Sequence, residues 1–325
     1  MRLPFLIYCN KLKGRCGMVK YIIKRLLAGA LSLFVLVTLT FFLMHMIPGG
    51  PFSPSEQRNV PEKILEQIQD KYGLNDPVPV QYARYLGNLL HGDMGTSFKK
   101  QDTTVNELIA NGFPVSAQVG ALGIVAALAV GIPLGIIAAI RRGKMADGVA
   151  MVFATIGVSV PSFVICVLMM YLFCEKWKIF PSYGLTSWKH YVLPVFCMAF
   201  SQIAYITRLM RSSMLETMRQ DYIRTERAKG MPEYLVIGKY ALKNSILPVV
   251  TYVGPLIATL LTGTFIIEKL FSVPGLGRYF VSAITDRDYS VTLGLTVFLG
   301  AMIIVCNLVV DIMYAIIDPR VKITE

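Results

Sequence analysis

Charged residues are scarce. Only 16% of the 325 positions are Asp, Glu, Lys or Arg, against roughly 25% in a soluble domain. The hydrophobic share is 54% and the mean hydropathy is +0.56, which points to an integral membrane protein with several helical spans. Histidine is scarcer still. His45, His91 and His190 are scattered and offer no ligand spacing. The six cysteines follow neither a metal nor a disulfide pattern. Cys9 and Cys16 lie in the N-terminal tail, whereas Cys166, Cys174, Cys197 and Cys306 lie in or beside apolar runs and read as buried free thiols. No stretch matches the phosphate-cradling GxxxxGK[ST], the zinc-binding HExxH or the nucleophilic GxSxG. Nothing pairs a nucleophile with a base. The chain is therefore expected to hold no enzyme active site, cofactor or metal of its own.

Acidic residues are also outnumbered, and the net charge is +12. Such an excess can serve nucleic-acid binding. Here the basic residues sit in short loops between apolar spans, which is the signature of membrane topology, so no nucleic-acid partner is expected.

The hydropathy pattern gives six spans. Residues 1–17 read as a disordered tail or a mis-assigned start before Met18. The first helical segment covers 18–47, with its apolar part from Leu26 to Ile47. Those 22 residues reach about 33 Å as a helix, enough to cross the hydrocarbon core. A polar segment, 48–112, follows Pro48-Gly49-Gly50-Pro51; the face made by Ile64, Leu65, Ile68 and Tyr72 suggests one amphipathic helix there, and Val80–Leu90 a second. Residues 113–325 hold five more spans. These run Pro114–Ile140, Val149–Cys174 with a break near Pro161, Tyr191–Leu209, Leu247–Ile267 and Val291–Ile317. Gly131 and Gly135 form a small-xxx-small pair suited to close helix contact. Trp177 and Trp188 suit interfacial anchoring.

Charge sets the orientation. The N-terminus, the 141–147 loop, the 208–246 loop and the C-terminus together carry 20 Lys/Arg against 8 acids; the other side carries 12 of each. The whole excess lies on one face, so both termini and the 208–246 loop are expected on the cytoplasmic side, and 48–112 outside.

Some polar residues fall inside spans. Asp311 lies near the cytoplasmic end of its helix, where an ion pair with Arg or Lys is a more natural role than substrate contact. Gln118, Gln202 and Asn307 suit hydrogen bonds between helices. His45, near the outer end of the first span, is either a ligand or an interfacial structural residue.

The longest polar, basic stretch on the cytoplasmic side is Asp221–Pro248, which begins within a cytoplasmic loop spanning 211–246 and reaches the start of the next span. It has a helical pattern up to Gly230, a turn at Met231-Pro232 and a second helical pattern. Gly permits a left-handed turn, and Pro suits a helix start. From the pattern alone this is either a helix-turn-helix device or a solvated basic loop that fixes topology.

Several motifs together resemble one family. The run Tyr222-Ile223-Arg224-Thr225-Glu226-Arg227-Ala228-Lys229-Gly230 and the later Ala241-Leu242-Lys243-Asn244 and Leu247-Pro248 are similar to the cytoplasmic loop of peptide-type ABC importer permeases. So are Gly73 to Tyr82, Gly92-Asp93-Met94-Gly95-Thr96-Ser97, the outer motif of Glu268, Phe271, Pro274, Gly275 and Gly277, the run Arg287-Asp288-Tyr289, and the ending from Asn307 to Arg320. Glu226 departs from the pattern, since the family commonly has a small residue there. Met231-Pro232 replaces the usual Leu-Ser.

The resemblance implies an all-α, six-helix type I ABC importer permease fold in a bacterial or archaeal cytoplasmic (inner) membrane. It implies a second homologous permease, two ATP-binding subunits that carry ATP and Mg, and an extracytoplasmic substrate-binding protein. Residues 221–240 would couple the ATPases to the spans. The implied cargo is di- or oligopeptides, with nickel, haem or glutathione as alternatives within the family. Outside it, an ion-driven secondary transporter would need ionisable residues at span midpoints and internal repeats, and few of the former and none of the latter are evident. A membrane scaffold that moves nothing is the remaining class.

Overall fold

The structure is a computed structural model, described over residues 3–47, 73–100, 103–261 and 265–317. It is helical almost throughout. Among the described residues the β pairing is one isolated antiparallel bridge, Thr96 with Thr104. The chain divides into two compact units, one of Met1–Ala110 and Tyr279–Glu325, the other of Asn111–Arg278.

In the first unit α1 runs Leu3–His45 without a break. It continues through positions where the sequence suggests a disordered tail or a mis-assigned start. The amphipathic helix expected around Ile64–Tyr72 lies outside the described residues. Helix α2 is Val78–Leu90, two residues longer than its pattern suggests because Pro77 and Pro79 favour a helix start. Helix α3 runs Val105–Ile140 and so begins well before Pro114, where the second span was expected to start. The cause is a capping box. The Thr104 hydroxyl accepts from the Glu107 N–H at 3.1 Å, and the Glu107 carboxylate accepts from the Thr104 N–H at 3.1 Å, which satisfies two otherwise orphaned donors.

The second unit holds the rest of α3 and then α4 (Met145–Ser159), α5 (Ser162–Met169) with a π-helical run Met170–Lys176, and α6 (Lys189–Thr217). The expected break at Pro161 is present: α4 and the helix from Ser162 to Lys176 meet at 105°. Next come α7 (Asp221–Ala228), α8 (Glu233–Leu235), a π-helical run Val236–Ala241, α9 (Leu242–Ser245), α10 (Leu247–Leu261) and α11 (Phe265–Leu270). Helix α12 (Leu276–Thr285) forms inside the expected outer loop, and α13 is Tyr289–Ile317.

By length and composition, four of the described helices can cross a membrane: α1 from Ile22, α3, α6 and α13 to Asp311. The pair bent at Pro161 is either a broken fifth span or a re-entrant loop, and Leu247–Ile257 is a shorter apolar helix. The chain is thus a multi-pass membrane protein.

Small residues set the packing. A Cβ on Gly131 would lie 2.9 Å from Ile206, and one on Gly135 would lie 2.6 Å from Met210 Cβ and 2.8 Å from the Thr207 carbonyl. The small-xxx-small pair therefore brings α3 against α6, as expected of it. Gly157 lets α4 meet Ala204 of α6 in the same way. In the first unit Gly29 faces Ile304 and Gly300 faces Leu36, which joins α1 to α13.

Three of the in-span polar residues, Gln118, Gln202 and Asp311, make helix-to-helix contacts, whereas Asn307 is exposed. Tyr252 donates to Gln202 at 2.6 Å, and Tyr191 to Gln118 at 3.4 Å. Arg25 Nη2 lies 3.0 Å from Asp311 Oδ2 without the alignment of a hydrogen bond. His45 bonds the Phe41 carbonyl at 2.8 Å and the Gln81 amide oxygen at 3.2 Å, and it stacks on Phe41. Trp177 and Trp188 are exposed, as anchors would be. Cys166, Cys197 and Cys306 are buried free thiols, and Cys174 is half-buried.

Candidate functional site

The Asp221–Ser245 segment is a helix, a tight turn and a second helical run. Helix α7 ends in a Schellman motif: the Met231 N–H bonds the Glu226 carbonyl at 3.3 Å and the Gly230 N–H bonds the Arg227 carbonyl at 3.0 Å. That closure requires a left-handed residue, and Gly230 has φ +76°. A Cβ there would meet nothing within 4 Å. The need for glycine is therefore conformational, not steric. Pro232 caps the second helix, one position earlier than the first helical turn where its ring was expected.

Two contacts close this clasp. Arg227 forks onto Glu233 at 2.5 and 3.1 Å, joining the two arms across the turn. At the other end Asn244 donates to the Tyr222 hydroxyl at 2.7 Å. Ile223, Val236 and Ala241 are fully buried beneath it, and the Ser245 hydroxyl reaches Met214 Sδ of α6 at 3.1 Å.

The candidate coupling residues therefore divide. Tyr222 and Arg227 hold the clasp together. Thr225 returns its hydroxyl to the Asp221 carbonyl at 3.0 Å. Glu226, the residue out of pattern, bonds Lys229 at 2.8 Å within the same turn of chain. Arg224 and Ala228 face outward, and among the described residues the Arg224 guanidinium meets only Asp221, at 3.7 Å. Tyr234, which lies outside the motif, is 73% exposed. The hydrogen bond from Arg227 holds the Glu233 carboxyl below its ordinary range, and the bond to Glu226 raises the Lys229 ammonium.

The outer motif is a second local structure. Glu268 is 1% exposed. Its Oε2 accepts the Gly277 N–H at 2.8 Å, and the Ser116 hydroxyl and the Arg278 backbone N–H also favour the charged form of the carboxyl. The Ser116 hydroxyl in turn accepts the Leu276 N–H at 2.9 Å, fixing the start of α12. Among the described residues Glu268 Oε1 has no partner. Burial outweighs these bonds and pushes the Glu268 carboxyl above its usual range.

The glycines follow from that carboxylate. A Cβ on Gly275 would overlap Glu268 and lie 2.5 Å from Ser116 Oγ; one on Gly277 would lie 2.7 Å from the Phe265 Cα. Phe271 is buried as the apolar anchor of the turn, whereas Pro274 is exposed. Nothing local in the sequence marks Ser116 as part of this motif. Among the described residues no group of three or more His, Cys, Asp and Glu could hold a metal ion.

The chain belongs to the family described as binding-protein-dependent transport system inner membrane component, whose model matches residues 131–323. A companion model for the N-terminal part of such membrane components matches 18–120. The chain is 44% identical over 306 residues to the dipeptide transport system permease protein DppB of Bacillus subtilis, covering 94% of this chain and 99% of that one. It is 41% identical over 307 residues to the oligopeptide transport system permease protein OppB of Salmonella typhimurium, covering 94% and 100%. It is 40% identical over 306 residues to the dipeptide transport system permease protein DppB of Lactococcus lactis, covering 94% and 100%.

Proposed function

We propose that this chain is the permease subunit of an ATP-driven importer that carries di- or oligopeptides into the cytoplasm. The reading rests on the full-length similarity to dipeptide and oligopeptide permeases, at 44% and 41% identity. The subunit has six spans, one of them built on α10, and both termini lie inside. It sits in the cytoplasmic membrane of a bacterium or archaeon. Its partners are a second homologous permease, two ATP-binding subunits and an extracytoplasmic binding protein.

ATP and Mg belong to the ATP-binding subunits, and this chain contributes no hydrolytic group. The clasp at 221–245 presents Arg224 and Tyr234 to an ATPase. Its buried face rests on Met214 of α6, so a displacement of the clasp reaches the spans. A loop of this kind biases a two-state membrane domain when it is bound differently in each state.

The test is affinity purification from native membranes in mild detergent, and then peptide uptake in proteoliposomes. Recovery of two ATPases and a second permease, with ATP-dependent uptake, is the expected result. A solitary chain that transports on an ion gradient overturns the reading.

A further inference from the structure

The turn between α3 and α4 carries three cations, Arg141, Arg142 and Lys144. The Lys144 N–H closes it on the Arg141 carbonyl at 2.9 Å, and Gly143 takes φ +75°. The turn is anchored from beneath. Asp147, 5% exposed, accepts the Gly143 N–H at 2.9 Å, and Arg211 of α6 forks onto the same carboxylate at 2.6 and 2.8 Å. The charge of Asp147 is thus balanced by Arg211 and not by the turn. Arg141, Arg142 and Lys144 are all exposed, and among the described residues their side chains form no hydrogen bond or ion pair.

Apolar side chains begin where the cations end. Met145, directly after Lys144, is 86% exposed, and Val149, Val152 and Ile156 continue the same open face of α4 at helical spacing. The opposite face, with Asp147, Ala154 and Gly157, is buried, and Gly157 meets Ala204 of α6. Before the turn, Ile137 and Ile140 of α3 are also exposed. Apolar side chains this open are costly in water. The stripe therefore belongs in hydrocarbon, and the basic turn at its head lies at headgroup depth.

Free cations at the head of an open apolar stripe match a phospholipid in charge and in shape. We propose that the 141–144 turn binds the phosphodiester headgroup of an anionic phospholipid, with an acyl chain along the 145–156 stripe. Arg141 and Arg142 fork onto phosphate oxygens, and Lys144 adds a point charge. A zwitterionic headgroup brings an ammonium of its own against these cations, so the site selects lipids of net negative charge, of the phosphatidylglycerol class. A basic turn that only fixes topology has neither a bound lipid nor this preference. The inference rests on the membrane class of the chain and on this turn, and is independent of the cargo.

The experiment titrates the permease, purified in mild detergent with its partner subunits, with dioleoylphosphatidylglycerol or dioleoylphosphatidylcholine, and counts bound lipid by native mass spectrometry. The two lipids share their acyl chains and differ in headgroup charge. Wild type is compared with the triple variant Arg141→Gln, Arg142→Gln and Lys144→Gln, which keeps polar side chains and removes the charges. The expected result is a saturable phosphatidylglycerol step, roughly ten-fold tighter than for phosphatidylcholine and absent from the variant. A phosphatidylglycerol with a photoactivatable diazirine on its acyl chain locates the site in the wild-type complex, whatever the variant does to membrane insertion. Crosslinks within 145–156 are expected. Equal binding of the two lipids overturns the proposal, and so does a phosphatidylglycerol step that the triple variant retains. Crosslinks confined to other segments overturn it too, as when a second permease covers the stripe. Displacement of the lipid by an equal concentration of glycerol 3-phosphate also overturns it, because the turn then serves soluble phosphate esters.

Discussion

Ser97 donates its hydroxyl to the Asp288 carboxylate across 191 positions of chain, and both side chains are buried. The same carboxylate accepts the Phe98 N–H at 3.2 Å and the Val291 N–H at 3.3 Å. Asp288 thus caps the start of α13 and pins the segment before α3 to it. Two motifs that the sequence presents separately, Gly92 to Ser97 and Arg287 to Tyr289, are one structure. Removing the carboxylate leaves buried donors unmet. Asp288→Ala should lower stability by about 3 kcal/mol, and Ser97→Ala by about 1–2 kcal/mol. The melting temperature of the detergent-solubilised protein checks this. Equal, negligible effects would show that the cap is dispensable.

Gly230→Pro should abolish uptake while leaving the protein inserted. Proline holds φ near −65° and has no N–H, whereas this position needs φ +76° and a donor to Arg227. Gly230→Ala should have a milder effect, at about 1 kcal/mol for the left-handed conformation. Uptake rates normalised to membrane content separate the two. Normal uptake with proline would remove the turn from the mechanism.

Arg224 and Arg227 should respond differently to charge reversal. Arg227→Glu faces Glu233 and opens the clasp, so the double change Arg227→Glu with Glu233→Arg should restore it. The pair is partly exposed, and its worth is about 0.5–1 kcal/mol. Arg224→Glu breaks no strong contact, so any loss of ATPase co-purification reports docking directly and is not rescued at Glu233. Acid should also loosen the clasp slightly. The Glu233 carboxyl is held low in the fold, so its contribution is present above the ordinary glutamate range and fades as pH falls through the lowered value.

Glu268 should show the opposite sign. Its carboxyl is raised in the fold, so its neutral form is favoured. Its contribution is complete below the ordinary glutamate range and is lost as pH rises toward and through the raised value. Glu268→Gln should therefore flatten this part of the melting profile and match or exceed wild type at the alkaline end. Gly275→Ala should destabilise by about 1–3 kcal/mol at every pH, because its Cβ has no room beside Ser116. A Gln variant with the wild-type pH slope would place the titration elsewhere.

Local backbone chemistry is legible in the sequence. Gly230 announces a left-handed turn, Pro161 a break, and Gly131 with Gly135 a close helix contact. Asp311 calls for a cation, and Arg25 supplies it, although the sequence does not say which basic residue is near. The Thr104 and Glu107 spacing also spells a capping box, but Pro114 gives a competing signal for the helix start. Contacts between distant residues are not legible. Ser116 with Glu268 depends on how α3 meets the turn before α12, and no local pattern encodes that. The π-helical runs Met170–Lys176 and Val236–Ala241 carry no compositional mark.

The clasp around Gly230 has a mechanical consequence. Its arms are tied at Arg227–Glu233 and at Asn244–Tyr222, and Ile223 and Val236 fill the space beneath. A slack loop would stretch when pulled and dissipate the stroke within itself. This one is tied at both ends, so under the proposed coupling a push on its outer face would reach α6 as a movement of the clasp and not as a stretch within it.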